Sequence, residues 1–358
     1  MTLPIRLLDL GLVPSVRSQT VYHAVAHAFG PTTPDTIILV APIDPYVCIG
    51  YHQELEQEVD LTYCQAHGLP VYRREVGGGA VYLDQNQVFA QWIFRRNSLP
   101  AALDDRFARY IQPLVATYQQ LGIAAYHRPL NDIQVGGRKI GGTGAMAVGE
   151  AEVMVGSLMF DFDMASMAQV LKVPSEKMRD KIFQSLQDYM TTMSRELGQM
   201  PDRDAVVTSY LENCAAALGV EIVPGQLSAD EESLAVELDA RFVTDEWLHQ
   251  KGGLRRDGIK IHEDVRVVEA AHKAPGGLIR VTARLRAGQI DDLTLSGDFT
   301  IFPATAIRVL EQAVRGADLR RESLLERITE NYHALSVQSP GMTPDDIATA
   351  IIAAIAPM

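Results

Sequence analysis

Cysteine is scarce in this 358-residue chain: Cys48, Cys64 and Cys214 stand far apart and form no CxxC pair. Such spacing supports neither a disulfide framework nor a zinc site, and it suits a reducing compartment. Positive charge is also short, with 32 Lys and Arg against 45 Asp and Glu and a formal net charge of −13. Sequence-independent binding to nucleic acid depends on cations that neutralise phosphates, so no nucleic-acid partner is expected. No segment approaches the ~20 apolar residues of a membrane span, and the N-terminus lacks a cationic region followed by an apolar run. No membrane association is expected, and a cytoplasmic location is. What remains is ordinary: 47% of residues are hydrophobic and 22% charged, as in a globular protein long enough for two or three domains.

Glycine is unevenly spent. Arg73-Arg74-Glu75-Val76-Gly77-Gly78-Gly79-Ala80-Val81-Tyr82-Leu83-Asp84 places three consecutive glycines between two strand-like runs. Three together are costly in chain entropy unless a tight turn or a close approach to a ligand requires them. The guanidinium groups upstream fork readily onto carboxylate or phosphate oxygens. Alone, the stretch is equally a glycine-rich hairpin with solvated arginines. A second run, Asn131-Asp132-Ile133-Gln134-Val135-Gly136-Gly137-Arg138-Lys139-Ile140-Gly141-Gly142-Thr143-Gly144, sets a lysine among glycines. An ammonium beside exposed backbone amides is suited to a phosphate or an acyl phosphate, although the run is not a Walker A loop.

The two motifs, RRxxGGGAVY followed by an aspartate and then ND with GGRKIGGTG, together resemble the lipoate–protein ligase family, whose fold is shared with biotin ligases and octanoyltransferases. The resemblance covers most of the first two-thirds of the chain. It implies an α+β fold: a large catalytic domain of mixed β-sheets flanked by helices, followed by a small α/β accessory domain. HKAPGGLIRV and SGDFTIFP, at His272–Val281 and Ser296–Pro303, resemble that accessory domain. A composition shift near residues 224–253 supports a division into 1–245 and 246–358, and a monomer is expected.

By the same resemblance the enzyme adenylates lipoate with ATP and Mg²⁺ and passes the acyl group to a lysine of a lipoyl-accepting protein, such as a lipoyl domain or a glycine-cleavage H-like protein. Lys139 would be catalytic, stabilising charge between carboxylate and phosphate. Arg74 would bind phosphate, Gly77, Gly78 and Gly79 would admit it closely, and the backbone of Val81 and Tyr82 would face adenine. Asn131 and Asp132 would contact phosphates, with Asp132 the metal ligand, and Gly142, Thr143 and Gly156 would also line the nucleotide site. Three positions depart from the family pattern. Val76 replaces a small hydroxyl residue, Leu83 a histidine, and Val155 a histidine, all making the pocket more apolar.

Two related enzymes and one other class stand against this. Octanoyltransferase needs a thiol nucleophile, and no cysteine occurs between Cys64 and Cys214. Biotin ligase carries a GRGRxGR-like loop that is absent. A lipoyl/octanoyl transferase using a pre-activated donor and a non-catalytic lipoyl-binding module remain the alternatives.

Periodicity and punctuation predict the elements. A helix is expected over Ser15–Phe29, with His23 and His27 as a surface coincidence. Strands are expected at Ile37–Ala41, Tyr46–Ile49, Val88–Phe94, Leu130–Val135 and Val153–Phe162. Further helices are expected at Asp60–His67, with an acidic cap, and at Leu103–Leu121, closed by Gly122. Residues 164–220 read as helical, with Cys214 in the core, and Asp230-Glu231-Glu232 opens another helix. From Gly258 a β-meander runs through Ile259, Ile261, Val265 and Val267 to Leu295. Helices follow at Pro303–Val314 and Leu319–His333.

Overall fold

The computed structural model describes residues 4–251 and 265–355. The chain begins β1 (Ile5–Val13), α1 (Ser15–His27), β2 (Thr36–Pro42), β3 (Tyr46–Ile49), α2 (Leu55–Glu58), α3 (Leu61–Ala66), β4 (Val71–Arg73), β5 (Val81–Leu83) and β6 (Gln87–Arg95). It continues α4 (Leu103–Gln120), β7 (Ala125–Arg128), β8 (Asp132–Val135), β9 (Arg138–Gly142), β10 (Gly144–Val148) and β11 (Ala151–Met159). Next come α5 (Met164–Val170), α6 (Glu176–Tyr189), α7 (Met193–Leu197), α8 (Arg203–Leu218), β12 (Ile222–Pro224), α9 (Ala229–Phe242) and α10 (Asp245–Leu248). The last described elements are β13 (Val265–Ala274), β14 (Gly277–Arg286), β15 (Gln289–Gly297), α11 (Ala306–Ala313), α12 (Arg321–Ala334) and α13 (Pro344–Ile355). Two compact units form. One holds Met1–Cys48, Val59–Arg74 and Val81–Thr244, and the other Ile49–Glu58, Glu75–Ala80 and Asp245–Met358.

The first unit is built on a six-stranded mixed sheet in the order β10-β11-β6-β2-β1-β12. Every residue of β2 (TIILVAP) is buried, which is why the strand reads as an unbroken apolar run rather than an alternation. The α4 helix presents Phe107, Tyr110, Ile111, Leu114 and Tyr118, all buried as the periodicity predicts. Trp92 on β6 meets Tyr110 edge-on and donates its indole N–H to Tyr210 Oη at 3.1 Å. Asp60 caps α3 by accepting from Tyr63 N, and Gly122 ends α4 with φ at +83°. At α9, Ser228 and Glu231 form a reciprocal capping box. Glu231 also takes Arg6 in a two-pronged bond at 2.6 and 2.9 Å. Burial alone would raise its pKa, but Arg6 and the Ser228 amide hold it below the ordinary carboxylate value.

Two expectations are corrected here. His23 is buried, not on the helix surface; its ring lies 3.9 Å from Tyr22 and 5.5 Å from Phe242, so it is a core residue on the face that meets α9. Residues 164–220 are not continuously helical. The chain is extended at Met190 and Thr192, between α6 and α7.

The second unit is an antiparallel meander, β13-β14-β15, covered by helices whose apolar faces share one core of Ile279, Val281, Leu293, Ile307, Ile328 and Ile351. The turn between β14 and β15 places Ala287 and Gly288 in the left-handed region, at φ of +48° and +75°. Helix α13 lies beyond the last one anticipated. Gly252, Gly253, Ile259 and Ile261 lie outside the described residues. The segments Ile49–Glu58 and Glu75–Ala80 are stitched to this unit: Gly297 N donates to His52 O at 3.1 Å, Ser296 Oγ to Glu54 Oε1 at 2.9 Å and Arg280 Nε to Glu58 Oε1 at 3.1 Å.

Candidate active site

Lys139 was expected on a glycine loop; it stands on a strand. The segment Asp132–Val135 turns through Gly136 and Gly137, with φ at +56° and +81°, into Arg138–Gly142. Those two glycines serve the turn. Gly142 serves the lysine instead: a Cβ there would lie 2.9 Å from both Cε and Nζ of Lys139. The ammonium is 2.7 Å from Asp132 Oδ1, and the lysine side chain is 28% exposed. The other carboxylate oxygen, Oδ2, accepts from Tyr189 Oη at 3.3 Å and lies 3.7 Å from Arg128 Nη1. The Tyr189 pKa is raised, first by burial and then by the Asp132 charge, so the phenol is a proton donor at neutral pH.

Asn131 and Thr143 clasp the open end of the hairpin. Asn131 Nδ2 donates to Thr143 O at 2.6 Å, while Thr143 N and Oγ1 both donate to Asn131 O at 2.9 Å. Gly156 adjoins them from β11, where a Cβ would meet Thr143 Cγ2 at 3.2 Å and the Tyr110 hydroxyl at 2.9 Å. Lys139, Asp132, Asn131, Gly142, Thr143 and Gly156 therefore form one neighbourhood.

Arg74, Val81 and Tyr82 form another, around β3. Val81 pairs with Cys48 and Tyr82 with Val47; Arg74 Nη1 donates to Cys48 O at 3.4 Å, and Tyr82 N points at Met167 Sδ, 3.2 Å away. Arg73 is fully buried rather than solvated. The glycine run belongs to the second unit. A Cβ at Gly77 would lie 2.7 Å from Phe299 O and 3.3 Å from Thr300 Cα, and Gly78 N donates to Phe299 O at 3.4 Å. At Gly50 a Cβ would collide with the Gly78 carbonyl, whereas at Gly79 it would make only an ordinary 3.7 Å contact with Asp298 Cβ. Backbone packing thus accounts for Gly77 and Gly50, and leaves Gly79 with room.

The residues missed by sequence reading are Tyr189 and the two that follow it. Met190 bridges Lys139 in parallel, and Thr191 N donates to Lys139 O at 2.9 Å. Arg138 pairs with Glu196 at 2.7 Å, and Thr191 Oγ1 donates to the same carboxylate. The sequence reading passed over them because nothing local ties residue 190 to residue 139.

The three cysteines are buried and form no disulfide. Burial pushes Cys214 up to about 12 and Cys64 up to about 11, and it raises Cys48 despite the nearby Arg74.

The family model for the lipoyl protein ligase A/B catalytic domain matches residues 19–215. The chain belongs to that family. It is 32% identical over 228 residues to lipoate-protein ligase A subunit 1 of Thermoplasma acidophilum, covering 60% of this chain and 84% of that one. Similarity also extends to the octanoyltransferase LipM of Kyrpidia tusciae, at 26% identity over 69% of this chain and 98% of the other. Among solved structures, the bipartite T. acidophilum lipoate protein ligase, determined as part of a lipoylation system with its E2 lipoyl domain, matches with a TM-score of 0.64. The identity is 27%, over 69% of this chain and 96% of that one. The expected family and the mixed α+β fold are both borne out: this is an enzyme family of lipoate ligases and octanoyltransferases. Among the described residues no helix is long and apolar enough to cross a membrane.

Proposed function

We propose that this chain joins lipoate to a lysine of a lipoyl-accepting protein in two steps through lipoyl-AMP. In the first, a lipoate carboxylate oxygen attacks the α-phosphorus of ATP and pyrophosphate leaves. In the second, the neutral amine of the acceptor lysine attacks the acyl carbon, AMP leaves, and the nitrogen gives up a proton. Lys139 carries the assignment. Its ammonium is partly exposed, lies against a glycine that leaves it space and is anchored by Asp132, an arrangement able to stabilise negative charge shared by a carboxylate and a phosphate. Arg74 would supply a second cation. At Gly79 a Cβ would make only an ordinary contact with Asp298 Cβ, so there is more space there than at Gly77.

Magnesium accompanying a nucleotide is commonly held by one or two carboxylates together with phosphate oxygens and water. Asp132 meets that donor set, with Asn131 beside it, and an ion held there would neutralise phosphate charge. Among the described residues there is no group of three or more His, Cys, Asp and Glu side chains able to cage a metal without the nucleotide.

The likeness to an octanoyltransferase favours a second reading, acyl transfer from a pre-activated donor through an enzyme thioester. Against it stand the lack of any cysteine between residues 65 and 213 and the buried state of the three thiols that exist, whose raised pKa values disfavour a thiolate. To separate them, the full chain is incubated with an apo lipoyl domain and, separately, an apo H-like protein. Each receives ATP with lipoate, or octanoyl acyl carrier protein without ATP. A lipoyl mass increment on an acceptor that requires ATP is expected; octanoylation without ATP would establish the transferase.

A further inference from the structure

We infer that Tyr189 is a positioning residue for adenylation, acting on Lys139 through Asp132. The inference rests on the adenylation proposed above. Asp132 has two jobs on two oxygens: Oδ1 holds the Lys139 ammonium at 2.7 Å, while Oδ2 receives the Tyr189 hydroxyl at 3.3 Å and faces Arg128 at 3.7 Å. Rotation about the Cβ–Cγ bond moves both oxygens, so partners on both oppose it more strongly than a partner on one. Tyr189, together with Arg128, therefore helps to fix the plane of the carboxylate, and with it the direction in which Lys139 is presented.

The same three-residue segment also fixes the lysine backbone. Met190 bridges residue 139 and Thr191 N donates to Lys139 O at 2.9 Å, so one stretch of chain grips the lysine at its carbonyl and, through Asp132, at its ammonium. Arg195 Nη1 in turn donates to Met190 O at 2.8 Å and Gln187 O at 2.7 Å, holding that stretch against the start of the next helix. When a substrate phosphate draws the ammonium away, Asp132 would lose its Oδ1 partner. The contacts at Oδ2 keep the carboxylate from being left with no partner at all, which lowers the cost of the exchange. Tyr189 need not touch the substrate to do this.

The test is Tyr189→Phe in the full chain, which removes the hydroxyl and keeps the ring. Lipoyl-AMP formation is followed under single-turnover conditions, with KM values for ATP and lipoate measured alongside. A hydrogen bond to a charged group is worth on the order of 10-fold. The expected result is a fall in rate of more than threefold, with both KM values within twofold and an unchanged melting temperature. In an Asp132→Asn background the same substitution is expected to change the rate by less than twofold, because the charge through which it acts has gone. A rate within threefold of wild type, or an equal loss in both backgrounds, overturns the inference. Wild-type chain that makes no lipoyl-AMP overturns instead the adenylation on which it rests.

Discussion

Gly142 stands where its missing Cβ would come within 2.9 Å of both Cε and Nζ of Lys139. The neighbour is the far end of a flexible side chain, and Gly142 has no left-handed φ, so alanine can be accommodated if the lysine moves. Gly142→Ala is thus expected to fold with an unchanged melting temperature while adenylate formation falls, on the order of 10²-fold for a misplaced catalytic group. Wild-type rates in the folded variant would mean that the observed position of the ammonium is not the one that matters.

The glycine run offers an internal contrast. At Gly77 the clash is with the backbone of Phe299, which cannot swing aside, so Gly77→Ala is expected to destabilise the second unit by roughly 1–3 kcal/mol. Gly79→Ala meets only an ordinary contact and is expected to leave stability within about 0.5 kcal/mol. If nucleotide approaches the run, Gly79→Ala loses ATP affinity without losing stability. Thermal unfolding paired with ATP titration of both variants separates the two roles; equal stability losses would refute the packing account.

The thiols yield a prediction about alkaline stability. A thiol whose folded pKa is raised favours the protonated folded state; its contribution is fully present below the unfolded value of about 9 and is lost as pH rises through the folded value. With Cys64 raised to about 11 and Cys214 to about 12, the loss begins near pH 9 and continues to about pH 12. The buried phenols of Tyr46, Tyr110 and Tyr210, raised well above their ordinary value by burial, act in the same direction. Melting temperatures are expected to fall steadily above pH 9, and less steeply in Cys214→Ala. A profile flat to pH 12 would contradict the burial. Replacing all three cysteines is expected to leave ligation intact apart from packing losses, and an acyl adduct on any of them, released by hydroxylamine, would contradict the proposed chemistry.

Local rules carried much of the fold. The broad apolar face of Leu103–Gln120, the acidic cap at Asp60 and the stop at Gly122 are decided within a few residues, and they are legible for that reason. His23 was misplaced because periodicity cannot show that α9, more than 200 residues later, covers that side of α1. The lysine hairpin was recognisable from glycine spacing and resemblance, but its strand character and its buttress depend on Thr191 reaching Lys139 and Tyr189 reaching Asp132 across about 50 residues. The glycine run shows a related limit. Its composition suggested a ligand, while the Phe299 backbone that fills the space beside Gly77 leaves no trace in the neighbouring sequence.

Lipoate-dependent exchange of radiolabelled pyrophosphate into ATP, by the full chain and by Lys139→Ala, tests the central claim most directly. Exchange by the wild type, falling on the order of 10²–10³-fold in the folded variant, is the expected result. No exchange by the wild type, or exchange by Lys139→Ala within a few fold of it, would contradict the account.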